Sequence, residues 1–216
     1  GVFIEVATGP DMSCALSNDR DVTCWPEVEA VAALGGVDHI GVGEGYGCAL
    51  LGQTISCWGT NSSPSGKFEQ VGVGRHHLCA LTKEGEAECW AATDDFVDEG
   101  QLEAPDTDFV TVKAGESVSC GLTERGTVEC WGDSALDYEG SNDMVWTDLT
   151  VGYGHACVLD GEGLPYCWGN DGFGQASIAW RSFEHLSAGG VHTCGLDFKG
   201  RVRCYGDDTA RQTFPP

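Results

Sequence analysis

The sequence predicts an all-β protein, a β-propeller of six blades in which every blade is a small antiparallel sheet with one disulfide inside its hairpin. Three observations support this prediction: one pattern recurs six times along the 216 residues, each copy carries two cysteines at nearly constant spacing, and short apolar segments punctuated by glycine surround them. A unit of this size cannot bury a core by itself, so neighbouring copies must pack together. We therefore expect a single propeller domain, 1–216, with repeats at about 1–34, 35–65, 66–106, 107–143, 144–180 and 181–216.

Each repeat opens with a predicted strand that runs from a large apolar residue to a glycine. The apolar residues are Phe3, Val37, Phe68, Phe109, Trp146 and Phe183. The glycines, each five residues before the first cysteine of its repeat, are Gly9, Gly43, Gly74, Gly115, Gly152 and Gly189. Because this spacing is the same in all six copies, it predicts six equivalent first strands.

The second and third strands of each repeat form a predicted hairpin that the two cysteines close. In repeat four, pairing Cys120 with Cys130 leaves a three-residue loop ending at Gly126, and such a loop needs glycine in its last, left-handed position. In repeat two the cysteines are one residue closer, and the same pairing leaves a two-residue loop that begins with Gly52, as a type II′ turn requires. Turn and cysteine spacing vary together, which favours disulfides over metal ligation. The predicted pairs are Cys14–Cys24, Cys48–Cys57, Cys79–Cys89, Cys120–Cys130, Cys157–Cys167 and Cys194–Cys204.

Charge and cysteine content restrict the partners and the compartment. The formal net charge of −23, from 34 acidic and 11 basic residues, argues against nucleic acid, whose phosphates are bound by Lys and Arg, and against anionic membrane surfaces. A basic protein partner is compatible with it. Twelve cysteines, all used by the repeat, predict a secreted, extracellular or cell-surface protein, with the periplasm as an alternative. We expect no membrane insertion, and a signal peptide that has been removed or lies outside this sequence.

The two ends of the sequence stand at the same point of the repeat. Pro64 and Pro105 each precede the next opening residue by four positions, and Pro215 would do the same for Phe3 if the ends were joined. We therefore expect a closed ring in which the sixth repeat packs against the first. A right-handed β-helix is the alternative architecture, but matching ends and connectors of variable length favour the propeller.

Repeat five shows the consensus most clearly, with TVGYGHACVL followed by YCWGNDGFGQ. This pattern resembles the repeats of the regulator of chromosome condensation family, and it looks most like the cysteine-containing secreted versions found in bacteria. The resemblance covers all six copies and implies a propeller. Family members are seven-bladed in their best-known form, so six copies imply either a smaller ring or a missing unit. An architectural analogue is the propeller-type β-lactamase inhibitory proteins, which implies enzyme inhibition as a further possible role.

Two segments outside the repeat pattern are candidate contacts for a partner. The first is an acidic insertion in repeat three, in which we expect Phe96 and Val97 to be exposed. Its candidate residues are Asp94, Asp95, Phe96, Val97, Asp98 and Glu99. The second is Trp180 with Arg181, in SIAWRS. The carboxylates lack the spacing of a calcium-binding loop, so we interpret the insertion as a solvated loop rather than an ion site.

The histidines and tryptophans of the repeat have a structural and a functional interpretation. His77, His155 and His192 stand two residues before a cysteine, where they either support a turn or converge on the ring axis as a metal, anion or catalytic site. The tryptophans that follow the second cysteines either pack between blades or stack on sugars. We favour the structural interpretation of both and expect no metal and no cofactor. Signatures such as G-x-S-x-G and H-E-x-x-H are absent, so we expect no catalytic residues and no enzyme activity.

The sequence therefore predicts an extracellular recognition module that binds a protein partner, of unknown identity, through loops on one rim of a rigid propeller. A carbohydrate-binding, lectin-like propeller is the alternative, and an enzyme inhibitor or an enzyme is less favoured. The fold alone does not decide between these functions.

Overall fold

The computed structural model describes residues 3–10, 12–25, 27–28, 31, 34–60, 63–94, 96–133 and 144–209. Within this part, eighteen strands form six antiparallel sheets of three strands each, which confirms the all-β fold with one sheet per repeat. Each sheet uses three consecutive strands, and the second of them in sequence lies in the middle of the sheet. The first strand therefore occupies one edge and the cysteine hairpin the rest.

The strand bounds follow the repeats. Sheets one to three consist of β1 (Phe3–Thr8), β2 (Ser13–Ser17), β3 (Val22–Trp25), β4 (His39–Val42), β5 (Gly47–Leu51), β6 (Thr54–Trp58), β7 (Gln70–Val73), β8 (His77–Leu81) and β9 (Ala87–Ala91). Sheets four to six consist of β10 (Thr111–Ala114), β11 (Val118–Leu122), β12 (Val128–Gly132), β13 (Trp146–Val151), β14 (His155–Asp160), β15 (Pro165–Gly169), β16 (His185–Ala188), β17 (His192–Leu196) and β18 (Val202–Gly206). The described residues contain no helix that is long and apolar enough to span a membrane.

All six predicted disulfides are formed, each between the second and third strands of one sheet. In sheet four, Cys120 lies opposite Cys130, as the predicted register requires. In sheet two, Leu51 lies opposite Thr54 and leaves the predicted two-residue loop, whose Gly52 has a φ of 62°. The local hairpin prediction is therefore confirmed, and each cystine constrains the hairpin that contains it.

Neighbouring sheets meet through one repeated interface. In repeats two to six the opening apolar residue, which starts the first strand or lies two residues before it, packs on the cystine face of the preceding sheet; Phe109, for example, is 3% exposed and contacts Cys79 and Leu81. Its backbone N–H donates to the carbonyl of Gly85, in the preceding hairpin loop, at 2.8 Å. The equivalent bonds run from Val37 to Arg20, from Phe68 to Gln53, from Trp146 to Gly126 and from Phe183 to Gly163. Five joints therefore share the same packing and the same hydrogen bond.

The glycines that end the first strands also meet across these joints. A Cβ on Gly115 would lie 2.4 Å from the carbonyl oxygen of Gly152, and a Cβ on Gly152 would lie 2.5 Å from that of Gly189. The same close approach joins Gly9 to Gly43, Gly43 to Gly74, and Gly74 to Gly115. Glycine is needed here because the backbones of adjacent sheets leave no room for a side chain.

The expected joint between sheets six and one is not formed. Phe3 is 52% exposed, whereas the five residues that open the other first strands are at most 5% exposed. The prediction that the first and last repeats close the ring by direct contact is therefore wrong. The repeat pattern predicts that sheets one and six carry the same kinds of apolar face as the other sheets. It does not predict that these two faces come into contact.

Candidate functional site

The first strands of all six sheets surround a cavity of about 990 Å³. Each sheet contributes a polar or charged side chain to its wall: Glu5, His39, Glu69, Lys113, Asp148 and His185. Two of the contacts are acid–histidine pairs between neighbouring sheets, His39 with Glu5 at 3.4 Å and His185 with Asp148 at 3.7 Å. The hydrogen bond that the His39 ring donates to the Glu5 carboxylate raises the pKa of His39 above its usual value.

Several polar side chains on the first strands, which surround the cavity, also connect neighbouring sheets. A side-chain oxygen of Gln70 accepts a hydrogen bond from the N–H of Val112 at 2.7 Å, and one of Asp148 accepts from the N–H of Leu186 at 3.0 Å. These bonds satisfy backbone donors at the inner edge of the following sheet, where no further strand pairs with them. The polar lining is thus explained by the architecture. Among the described residues, no group of three or more His, Cys, Asp or Glu side chains is placed to hold a metal ion.

The repeat histidines do not line this cavity but lie between sheets. His77 and His155 are fully buried; the Nε2 of His77 lies 2.8 Å from the Ser119 hydroxyl, and that of His155 lies 2.7 Å from the Thr193 hydroxyl. Each hydroxyl also contacts the carbonyl of a glutamine, Gln101 or Gln175, to which it donates its only proton. Each hydroxyl oxygen can then accept a hydrogen bond from Nε2 of its histidine.

The neutral state of these histidines follows from their surroundings. Burial lowers the pKa of His77 to about 4, and the neighbouring His76 adds to the effect. Burial likewise lowers the pKa of His155 to about 4 and, to a smaller extent, the pKa of His192. The Nδ1 atoms of His77 and His155 are buried and have no hydrogen-bond partner in the described part of the chain. This geometry favours a structural role for both residues.

The acidic insertion is held in a fixed conformation by one buried glutamine. Gln101 is 1% exposed; its side-chain oxygen accepts a hydrogen bond from the N–H of Glu99 at 2.6 Å, and its side-chain nitrogen donates to the carbonyl of Val97 at 2.7 Å. The indole N–H of Trp131 donates to the backbone carbonyl of Gln101 at 3.0 Å, which ties the loop to sheet four. We call residues 93–101 the acidic connector.

The acidic connector presents its carboxylates and one apolar side chain to solvent. Val97 is 67% exposed, and Asp94, Asp98 and Glu99 are also exposed. Phe96 was expected to be exposed but is only partly so, because its ring packs against His77 with centroids 6.3 Å apart. Asp95, the remaining candidate in this segment, lies outside the described residues.

A second connector, residues 170–176, has the same construction. Gln175 is 1% exposed, and its side-chain oxygen accepts a hydrogen bond from the N–H of Phe173 at 2.9 Å, as Gln101 does from Glu99. Phe173 is 57% exposed. The sequence-based interpretation missed Phe173, although the shared Gly-Gln dipeptide, at 100–101 and at 174–175, was the available signal.

Both connectors begin at the same end of the sheets, which we call the connector rim: the end at which the first and third strands finish. Near them Arg75 forms ion pairs with Glu44 and Glu116, and its guanidinium lies over the ring of Tyr153, 5.3 Å from the centroid. The hydrogen bond to Glu44 and the second carboxylate raise the pKa of Arg75. One side chain thus connects sheets two, three, four and five at this rim.

The other candidate pair lies toward the opposite end. Trp180 is 88% exposed and Arg181 is exposed, three and two residues before Phe183. The N–H of Phe183 donates to the carbonyl of Gly163 in a hairpin loop. We call the end of the sheets that carries these hairpin loops the hairpin rim. The structure therefore does not bring Trp180 and Arg181 together with the acidic connector.

Comparisons with known proteins agree with this architecture. Residues 146–175 and 183–212 match the family model of the Regulator of chromosome condensation (RCC1) repeat, and no curated protein sequence matches the chain. The ectodomain of the Physcomitrella patens receptor kinase CR4 is similar in structure, with a TM-score of 0.79 and 26% identity over 95% of this chain; the match spans 61% of that ectodomain.

Two further structures share the fold. The CRINKLY WD40 ectodomain of the Arabidopsis thaliana receptor kinase ACR4 has a TM-score of 0.75 and 22% identity, over 99% of this chain and 80% of that one. Yeast RCC1 (Prp20), in a complex with Kap60, has a TM-score of 0.74 and 15% identity, over 95% and 70% of the two chains. Neither a bacterial secreted type nor the likeness to enzyme inhibitors receives support from these similarities.

The six cystines and the similarity to receptor ectodomains indicate an extracellular, oxidising environment. The fifth and sixth units therefore match the RCC1 repeat model, and the six cystine-bearing sheets have the fold of RCC1-like propellers.

Proposed function

We propose that this protein is an extracellular recognition module that binds a protein partner through its connector rim. The observation that carries the proposal is the pair of buried glutamines, Gln101 and Gln175, each of which fixes a connector that exposes an apolar side chain, Val97 or Phe173. The role is binding rather than catalysis.

Fixed connectors favour binding because little conformational entropy is lost when a partner is engaged. The acidic connector is held at both Val97 and Glu99 by hydrogen bonds to one buried side chain, and Phe96 is anchored on His77. Exposed apolar side chains on such a backbone provide contact area that is already in place. A few side chains that become buried at the centre of an interface supply most of the free energy of binding.

The charge around these side chains predicts the kind of partner. Asp94, Asp98 and Glu99 surround Val97, and the whole chain has a formal charge of −23. A partner with a basic surface would be steered toward this rim, and its association would slow as salt is added. The predicted partner is therefore a basic extracellular protein surface with an apolar centre.

The similar structures are compatible with this proposal. Two of them are receptor kinase ectodomains, and yeast RCC1 was crystallised bound to the protein Kap60. The lectin alternative receives less support, because it needs exposed tryptophans. Of the five tryptophans that follow a second cysteine, Trp25 is 50% exposed, but Trp58 is 6% exposed, and Trp90, Trp131 and Trp168 pack partly buried against the cores between sheets.

A double variant, Val97→Ser with Phe173→Ser, tests the proposal. Immobilised protein is presented with extracellular proteins from the source organism, a captured protein is purified, and its Kd is measured for each variant. Loss of two exposed apolar contacts should weaken binding at least about tenfold, since about 1.4 kcal/mol corresponds to a factor of ten.

The matched control is Trp180→Ser with Arg181→Ser, which removes exposed side chains near the hairpin rim. The proposal predicts a Kd within about twofold of the unchanged protein for this control. Failure to capture any protein, or a larger loss for the control than for the connector variant, would refute binding through the connector rim.

A further inference from the structure

A cluster of aromatic and basic side chains lies at the hairpin rim, where the chain enters sheet six. Trp180 is 88% exposed, Phe198 is 65% exposed, and Arg181 and Lys199 are also exposed. Arg203, on β18, is partly exposed. We call these five residues the basic rim cluster.

The aromatic and basic parts of the cluster are neighbours in space. A Cβ on Gly163 would lie 3.2 Å from the Cε2 atom of Phe198 and also 3.2 Å from the backbone N of Phe183. The ring of Phe198 therefore lies beside the start of the chain segment that enters β16. Arg181 is two residues before Phe183, and two residues span at most about 7 Å, so Arg181 is close to this ring.

The two arginines of the cluster occupy neighbouring positions of the repeat. Their equivalents in sheet four are Thr107 and Glu129, whose side chains are joined by a hydrogen bond of 3.0 Å. The same repeat geometry places Arg181 beside Arg203. Two guanidinium groups at such positions repel each other, and an anion bound between them would remove this repulsion.

The repeat does not require these side chains. Phe198 stands at a loop position that is exposed in all five of the three-residue hairpin loops. The other four loops have a polar residue or glycine there: Asn18, Lys83, Glu124 and Gly161. At the next position, that of Lys199, three of these loops have an acidic residue: Asp19, Glu84 and Glu162. An exposed aromatic ring next to a reversed charge is therefore specific to sheet six.

The local charge also differs from that of the whole chain. Residues 180–205 include four basic and two acidic residues, a net charge of four minus two, or +2, whereas the whole chain has −23. One of the acids, Asp197, is 6% exposed, and its carboxylate accepts hydrogen bonds from the N–H of Lys199 at 2.9 Å and from the Nε of Arg201 at 2.8 Å. Asp197 thus fixes the loop and neutralises Arg201. The charges that a ligand meets are those of Arg181, Lys199 and Arg203.

We propose that the basic rim cluster is a binding site for a polysaccharide of uronic acids, a ligand class distinct from the protein partner of the connector rim. Each unit of such a polymer has apolar C–H faces, which stack on an aromatic ring, and a carboxylate, which a planar guanidinium binds through two parallel hydrogen bonds. One repeating unit therefore matches both kinds of side chain in the cluster. Trp180 does not belong to the repeat tryptophans on which the lectin alternative depends.

A narrow polymer fits this cluster better than a folded acidic protein does. A stable protein interface covers about 800 Å² of each partner. Such an area would include the neighbouring hairpin loops, where Glu124 and Glu162 are exposed and would repel an acidic protein. An extended acidic peptide is also narrow, but its acidic side chains supply carboxylates without an apolar face for Trp180.

Isothermal titration of the 216-residue protein with polygalacturonate tests this site. Fully methyl-esterified polygalacturonate is the matched ligand control, because it keeps the sugar rings and removes the charge. We expect binding to the charged polymer only, with a Kd that rises as salt is added. Arg181→Gln with Arg203→Gln, and separately Trp180→Ala, should each raise the Kd at least about tenfold.

The control variant is Lys83→Gln with Arg125→Gln, which removes two exposed positive charges from the hairpin loops of sheets three and four. It changes the net charge by the same amount at the same rim, so its Kd should stay within about twofold of that of the unchanged protein. The Tm of each variant shows that the fold is retained.

Three results would overturn the proposal. Absence of binding to polygalacturonate, or equal weakening by the control variant, would show that the cluster is not a specific site. A Kd that Trp180→Ala leaves unchanged would show that no sugar ring stacks there. Equally tight binding of polyglutamate would identify an acidic peptide, rather than a polysaccharide, as the ligand.

Discussion

Phe109→Ala is expected to lower the free energy of unfolding by about 3–5 kcal/mol, whereas Phe3→Ala should lower it by less than about 1 kcal/mol. The two residues stand at the same position of their repeats, but Phe109 is 3% exposed and Phe3 is 52% exposed. The ring of Phe109 stacks on Trp131, with centroids 5.6 Å apart, and fills the space above Gly121. Its removal leaves a cavity at a joint between two sheets, while removal of Phe3 leaves none.

Urea unfolding with the disulfides intact measures the free energy of unfolding of both variants under the same conditions. Because both variants make the same chemical change at the same repeat position, their difference reports mainly on the contact with the neighbouring sheet. Comparable losses at the two positions would mean that sheet six covers Phe3 in solution, contrary to the structure.

Acid is expected to destabilise the protein through its buried histidines. The pKa of His155 is lowered by burial to about 4, against an ordinary value of about 6.5, so the unfolded chain binds a proton more readily than the folded one. Its contribution is therefore fully present above about pH 6.5 and is lost as the pH falls toward 4. The full shift corresponds to about 3 kcal/mol for one such group. His77, with the same lowered pKa, adds a separate contribution in the same window.

His155→Tyr tests this prediction. Tyrosine stands at the same repeat position in sheet two, where the Tyr46 hydroxyl lies within hydrogen-bonding distance of the carbonyls of Gly74 and His77. The variant should lose less stability than the unchanged protein between pH 6.5 and 4, with the difference measured by urea unfolding at each pH. Protonation of the many carboxylates affects both proteins alike and cancels in the comparison. Parallel pH profiles would contradict a neutral, buried His155.

The local structure could be predicted from the sequence because it depends on short spacings. The distance between two cysteines and the place of a glycine fix the hairpin register, since only one pairing satisfies both. Cys48 and Cys57 show this best: they are one residue closer than the other pairs, and their loop is one residue shorter. The register of each cysteine hairpin is therefore encoded by residues at most 10 positions apart.

The joint between the ends could not be predicted in the same way. Whether sheet six reaches sheet one depends on the angle between successive sheets, summed over five joints, and no short spacing encodes that sum. Pro215 and Phe3 have the spacing found between other repeats, but this spacing determines only which residues lie on each face of a sheet, not whether the two sheets touch. Phe3 is 52% exposed, whereas its five counterparts are at most 5% exposed.

The candidate site was predicted in part. The acidic connector was identified from its length and composition, and the exposure of Val97 is as expected. Phe96 differs because its ring reaches His77, nineteen residues earlier in the chain, and composition carries no information about that contact. Phe173 was missed because its role depends on a hydrogen bond to Gln175, not on any unusual local composition.

Native-state hydrogen exchange of six backbone amides tests the central claim most directly, namely that five joints are formed and one is open. The amides belong to Phe3, Val37, Phe68, Phe109, Trp146 and Phe183. We expect the last five, which donate to hairpin-loop carbonyls, to exchange at least about 100-fold more slowly than that of Phe3. Protection of Phe3 equal to that of the other five would contradict the open joint and would show a ring closed by sheets six and one.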